Sequence, residues 1–119
     1  MDKGELQGRF RRFALRIIKL VDSMPKDLSS VTMAKQIIRS GTSPYANYSA
    51  ACIAKSEKDF LNKLKMVEEE LDETLRWLEL IVESEKMPES RLRELIQENK
   101  ELVSIITRAI IIMRNRINA

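Results

Sequence analysis

The chain has 119 residues, of which 44% are hydrophobic and 33% charged, with a net charge of +3 and no histidine. This length suits one domain with one core, and the composition excludes a disordered chain. Without histidine the chain lacks the commonest general base and metal ligand, so we predict no enzymatic activity, no metal and no cofactor. Cys52 is the only cysteine, so no disulfide can form within the chain. We see no apolar run long enough to span a membrane and no apolar signal-peptide segment at the start. We therefore expect a cytoplasmic protein.

Apolar residues recur at steps of three and four along the chain, which predicts four helices at about 5–23, 31–54, 57–84 and 88–116. Pro25 ends the first helix, because the residue before a proline is disfavoured in the α region. We expect Ser29 or Ser30 to cap the second helix and Ser56 to cap the third. Pro88 suits the first position of the fourth helix.

The middle of the second helix combines small residues with a proline. Pro44 has no N–H to donate, so we predict a kink near Gly41–Pro44. Asn47 is placed to satisfy carbonyls that such a kink would free, and small neighbours would let another helix approach closely.

The fourth helix is apolar around most of its girth, which indicates contacts on more than one side. Trp77 lies beside the main stripe of the third helix, and tryptophan is common at interface hot spots. The candidate residues for a subunit interface are Trp77, Ile105, Ile111 and Ile112.

Short connections between four amphipathic helices predict an antiparallel up-down-up-down bundle, one all-α domain over residues 1–119. In this topology the start of helix 1, the helix 2–3 turn and the end of helix 4 share one end, which is rich in lysine and arginine. Such a surface can bind phosphates of RNA or DNA. The candidate residues are Arg9, Arg11, Arg12, Arg16, Lys55, Lys58, Arg114 and Arg116. A solvated surface whose charges complement the helix ends is the competing explanation.

Four segments carry a resemblance to a known family. They are Gln36-Ile-Ile-Arg-Ser-Gly-Thr-Ser43, Ala46-Asn-Tyr48, Ser56-Glu-Lys-Asp-Phe60 and Glu73-Thr-Leu-Arg-Trp-Leu78. Together they resemble the bacterial four-helix-bundle proteins named after the intervening sequences of 23S ribosomal RNA genes. The chain departs from the family at Ala50, where members often carry glutamate.

The resemblance implies a four-helix bundle that assembles as a ring, typically a homopentamer, with no catalytic activity. A related bundle, the accessory protein of diversity-generating retroelements, is a basic pentamer that binds nucleic acid. Two functions are therefore expected: a homo-oligomer that binds RNA or DNA backbone, or a protein–protein scaffold or accessory subunit without nucleic-acid contact.

Overall fold

The computed structural model describes residues 1–119 and consists of four helices with no strands. They are α1 (Lys3–Ser23), α2 (Leu28–Cys52), α3 (Glu57–Glu83) and α4 (Glu89–Asn118). The molecule measures 50 × 22 × 19 Å. The predicted all-α four-helix bundle is confirmed, although α2 begins at Leu28, three residues before its predicted start.

The contacts of α3 show how it lies against its neighbours. Polar contacts join Ser40 to Thr74, Asn47 to Glu70, Thr107 to Glu68, and Arg116 to Glu57. In each pair of helices, rising residue numbers on one helix meet falling numbers on the other. Neighbouring helices therefore run in opposite directions along α3.

The helix starts are capped by side chains where a carboxylate or hydroxyl reaches a free N–H. Ser56 accepts a hydrogen bond from the Asp59 N–H at 3.0 Å, which confirms the predicted cap of α3. The predicted cap of α2 is wrong. Ser29 and Ser30 lie inside the helix and donate their hydroxyls to Asp27, which precedes it. Likewise, Pro88 precedes α4 instead of occupying its first position.

Asp27 also links the two turns at one end of the bundle. Its carboxylate accepts hydrogen bonds from Ser30, from Lys86 of the α3–α4 turn and from Ser29. These three donors hold the pKa of Asp27 well below its usual range. Met24 and Met87, one from each turn, are buried and close this end of the core.

The end of α3 is set by backbone hydrogen bonds. The N–H of Lys86 donates to the Ile81 carbonyl at 3.1 Å, and the N–H of Glu85 donates to the Val82 carbonyl at 3.0 Å. This pair of bonds is a Schellman motif, which requires a left-handed residue after the helix. Glu85 takes that conformation with φ of 60°.

The core is built from one apolar stripe of each helix. Large side chains fill it from α1, α3 and α4, whereas α2 contributes several small residues. A Cβ added to Gly41 would lie 2.7 Å from Ile17 Cγ1 and 2.9 Å from Ile17 Cγ2. The side chain of Ile17 thus occupies the space beside the Gly41 backbone, so α1 and α2 approach closely here.

α2 continues through Pro44 without a break, and a bend there stays a prediction. Next to the proline, the Thr42 hydroxyl donates to the Ile38 carbonyl and the Ser43 hydroxyl to the Arg39 carbonyl, both at 2.6 Å. The prediction that Asn47 bonds to freed carbonyls is wrong. Its amide instead donates to the Glu70 carboxylate on α3 at 2.7 Å.

One buried polar side chain is left without a partner. Asn99 of α4 has no solvent exposure, and neither its amide nitrogen nor its oxygen makes a hydrogen bond. An unsatisfied buried group of this kind costs about 1–3 kcal/mol.

None of the four helices combines the length and apolar character needed to cross a bilayer.

Replacing Gly41 by alanine tests the close approach of α1 and α2. Although alanine favours helices, the new Cβ would clash with Ile17, so we expect a loss of about 1–3 kcal/mol in the free energy of unfolding. Gly8→Ala is the matched control. There the Cβ would meet only the mobile tip of Arg12 at 3.3 Å, so a gain of up to about 1 kcal/mol is expected. Urea unfolding measures both, and an unchanged or stabilised Gly41→Ala variant would contradict the close approach.

Candidate functional site

Three segments of the chain meet at one end of the bundle. Lys3 of α1, Lys55 of the α2–α3 turn and Arg116 of α4 line the same depression, which has a volume of about 480 Å³. We call this end, with the exposed Lys58 and Arg114 beside it, the basic end. The predicted meeting of these three segments is confirmed.

Not every cation of the basic end is free. The guanidinium of Arg116 lies 3.1 Å from the Glu57 carboxylate, and Lys3 Nζ lies 4.9 Å from the centre of the Phe60 ring. Both members of the Arg116–Glu57 pair are exposed, and an exposed pair contributes at most about 1 kcal/mol. Lys55, Lys58 and Arg114 have no carboxylate within 4.0 Å.

Arg9 has an internal partner. Its guanidinium donates two hydrogen bonds to the carboxylate of Glu98 on α4, one of them from Nε at 3.1 Å. Each side chain retains only 20% of its exposure, and the bond to Glu98 raises the pKa of Arg9. Arg9 thus ties α1 to α4. A phosphate could engage it only by displacing Glu98.

The sequence predicted that Arg16 lies at the basic end, but the structure places it farther along α1. It lines a cleft between α1 and α4 together with Lys19 and Arg91. Since α-helices rise 1.5 Å per residue, Arg16 lies about 20 Å along α1 from Lys3. Arg16 therefore does not share an end with Arg116. Arg11 and Arg12, which are exposed and unpaired, lie between the two positions.

Several acidic side chains of α3 contact other helices. Glu68 accepts from the Thr107 hydroxyl at 2.8 Å, and Glu73 accepts from Arg39 and from the Trp77 indole N–H. No group of three or more histidine, cysteine, aspartate or glutamate side chains is arranged to hold a metal ion. These carboxylates thus join α3 to α2 and α4.

The candidate interface residues differ in how much surface they offer. Trp77 and Ile105 are half-buried and pack against the core of their own chain. Ile111 and Ile112 are 53% and 54% exposed. Of the four, Ile111 and Ile112 provide the free apolar surface.

Tyr48 is a side chain that could in principle act as a base. Burial, reinforced by the neighbouring Cys52, raises its pKa well above the usual range. The phenol therefore stays protonated at neutral pH and cannot accept a proton as a general base.

The sequence and the fold both match known proteins. Residues 5–108 match the sequence model of the family described as 23S rRNA-intervening sequence protein. The chain belongs to this family. The chain is also similar to a solved structure of a protein of unknown function from the S23 ribosomal protein family of Bacteroides thetaiotaomicron VPI-5482. The two chains share 32% identity with a TM-score of 0.83, over 88% of this chain and 97% of the other. A search of curated proteins finds no match.

The segments that carry the family resemblance form helix contacts. Gly41 meets Ile17, and Ser40 and Thr74 share a buried hydrogen bond. Trp77 bonds to Glu73 within α3. Three of the four family segments thus account for the packing of the helices. The fourth, residues 56–60, lies at the basic end, where Glu57 pairs with Arg116.

A double-mutant cycle on Arg9 and Glu98 tests whether this pair fastens α1 to α4. For Arg9→Gln, Glu98→Gln and the double variant, we expect a coupling of about 1–2 kcal/mol in the free energy of unfolding, because the pair is bidentate and half-buried. The same cycle on the exposed pair Arg116 and Glu57 should give less than about 0.5 kcal/mol. Equal couplings in the two cycles would refute the special role of Arg9.

Proposed function

We propose that this family member is a non-enzymatic, homo-oligomeric bundle that binds the backbone of RNA or DNA through its basic end and the adjoining face of α1. The observation that carries the proposal is the meeting of cations from three segments, most of them without a carboxylate partner. Nucleic-acid affinity arises largely from such phosphate contacts and the counterions they release.

The ion pairs within the chain indicate which cations would bind phosphate most readily. Arg11, Arg12, Lys55, Lys58 and Arg114 can meet a phosphate without displacing a carboxylate. Arg116 would exchange its exposed Glu57 partner at small cost. Arg9 contributes least, because its bond to Glu98 would have to break.

The aromatic side chains favour binding without base recognition. Phe10 and Phe13 are buried in the core, and Phe60 is half-buried beneath Lys3. Single-stranded bases are held by exposed aromatic rings, which this end does not offer. The proposed binding is therefore independent of nucleotide sequence.

Assembly would strengthen this binding. Ile111 and Ile112 each expose about half of their side chains near the end of α4, and burying them between copies would favour association. A ring of copies, a pentamer by the family resemblance, would repeat the basic end around its axis.

We also propose a cytoplasmic location, where the unpaired thiol of Cys52 remains reduced.

A protein–protein scaffold or accessory subunit is the second candidate. The exposed pair Ile111 and Ile112 favours it, because the same surface could receive a different protein. Under this alternative the basic end has no nucleic-acid partner.

Fluorescence anisotropy with labelled RNA and DNA tests the proposed binding. Affinity should fall by roughly 10³-fold between 50 and 200 mM salt if six or more phosphates are contacted. Reversing two charges with Arg11→Glu and Arg12→Glu should abolish binding.

The control Lys26→Glu with Lys35→Glu makes the same change in net charge away from the basic end and should retain most of the affinity. No binding by the wild-type chain at 50 mM salt would reject nucleic acid and leave the scaffold. Equal losses in both variants would show that net charge alone is responsible.

Light scattering tests the proposed assembly. The wild-type protein should have a mass of several times the 13.8 kDa chain, and Ile111→Glu with Ile112→Glu should lower that mass by placing charges in the interface. Ile53→Glu, at an 84% exposed position in the α2–α3 turn, is the matched control. A wild-type monomer would contradict the assembly.

A further inference from the structure

A second basic site lies between α1 and α4, away from the basic end. The α1–α4 cleft is lined by Arg16, Lys19, Leu20 and Ser23 of α1 and by Arg91 and Leu95 of α4. Three of these six residues are cations, and none is a carboxylate. We propose that the cleft binds a phosphoryl group through Arg16, Lys19 and Arg91.

The three cations have no partner within the chain. None of them lies within 4.0 Å of a carboxylate, although Arg9, Arg93 and Arg116 all do. The acids nearest to these cations in sequence, Asp22, Glu89 and Glu94, line other depressions. No direct ion pair therefore neutralises any of the three cations.

The helix dipole explains the position of one of the three cations but not of all three. Lys19, near the end of α1, suits the negative end of the helix dipole. Arg91 lies in the first turn of α4, where a positive charge is unfavourable. Arg93, close by, is offset by Glu89 at 3.8 Å, whereas Arg91 has no such partner. An anion in the cleft would supply the missing compensation.

The shape and the walls of the cleft suit a small anion. Its volume is about 260 Å³, below the range of about 300–1,000 Å³ that drug-sized ligands occupy. Leu20 and Leu95 are almost fully buried and form an apolar floor, which strengthens the field of the cations above it. The Ser23 hydroxyl donates to the Leu20 carbonyl at 2.9 Å, so recognition would rest on the three cations.

Two guanidinium groups favour a phosphoryl oxyanion among small anions. Guanidinium presents paired N–H donors whose spacing matches two oxygens of a phosphate, and an ammonium adds a point charge. Arg16 lies about 20 Å along α1 from Lys3 of the basic end, although only about 6 Å from Arg12. The inference therefore stands whether or not the basic end binds nucleic acid.

Calorimetric titration with inorganic pyrophosphate at low salt tests the site. The wild-type chain should bind saturably, and the variant Arg16→Gln/Lys19→Gln/Arg91→Gln should lose at least about tenfold in affinity, since charge-assisted hydrogen bonds are removed. The control Lys26→Gln/Lys35→Gln/Lys100→Gln has the same net charge and should stay within about twofold of the wild type.

Thermal unfolding checks that the variants remain folded. Removing three like charges should leave the midpoint unchanged or raise it, and Arg91→Gln alone serves if the triple variant unfolds early. No saturable binding of pyrophosphate, or equal losses in the cleft and control variants, would overturn the proposal.

Competition identifies the source of the phosphoryl group. A short oligothymidylate is added to the pyrophosphate complex of the Lys55→Glu/Lys58→Glu variant, whose basic end is impaired. Displacement would support a nucleic-acid backbone in the cleft, and no displacement would support a free phosphate compound. If the basic end is not the nucleic-acid site, oligonucleotide binding by the wild-type chain will instead be unchanged by Lys55→Glu/Lys58→Glu.

Discussion

The close contact of α1 with α2 at Gly41 is the constraint on which the rest of the bundle depends. The side chain of Ile17 fills the space that any Cβ at position 41 would need. Beside it, Ser40 and Thr74 share a buried hydrogen bond that joins α2 to α3. Because small residues line both sides of α2 at this level, α1 and α3 can each pack tightly against it, and α4 packs mainly against α3.

This arrangement leaves the seam between α1 and α4 as the loosest contact among the four neighbouring helix pairs in the bundle. The bond between Arg9 and Glu98 crosses the seam at one level, and the cleft of Arg16, Lys19 and Arg91 opens at another. Because the backbones of α1 and α4 approach closely at few positions, long charged side chains can occupy the seam and remain accessible. The seam thus provides the surface for the proposed phosphoryl site, whereas the tight helix pairs provide stability.

The charge distribution follows from the same packing. Carboxylates of α3 such as Glu68, Glu70 and Glu73 accept hydrogen bonds from neighbouring helices, and these contacts hold them along the sides of the bundle. Many of the cations make no such contact and stay at the surface. A modest net charge of +3 therefore coexists with strongly basic regions, and such regions can attract polyanions although the whole chain is nearly neutral.

The helices, the apolar stripes and the Ser56 cap could be predicted from residue order, because periodicity and capping are local and act within a few residues. The family could be predicted from four motifs along the chain. The pairing of Arg9 with Glu98, 89 residues away, and the position of Arg16 in one cleft with Arg91 became visible only in the folded bundle. Such pairings depend on the axial offset and rotation of packed helices, which the spacing of residues within one helix does not specify. The cap of α2 was missed for a related reason: Ser29 and Ser30 point their hydroxyls to Asp27, a choice that Lys86 from a distant turn reinforces.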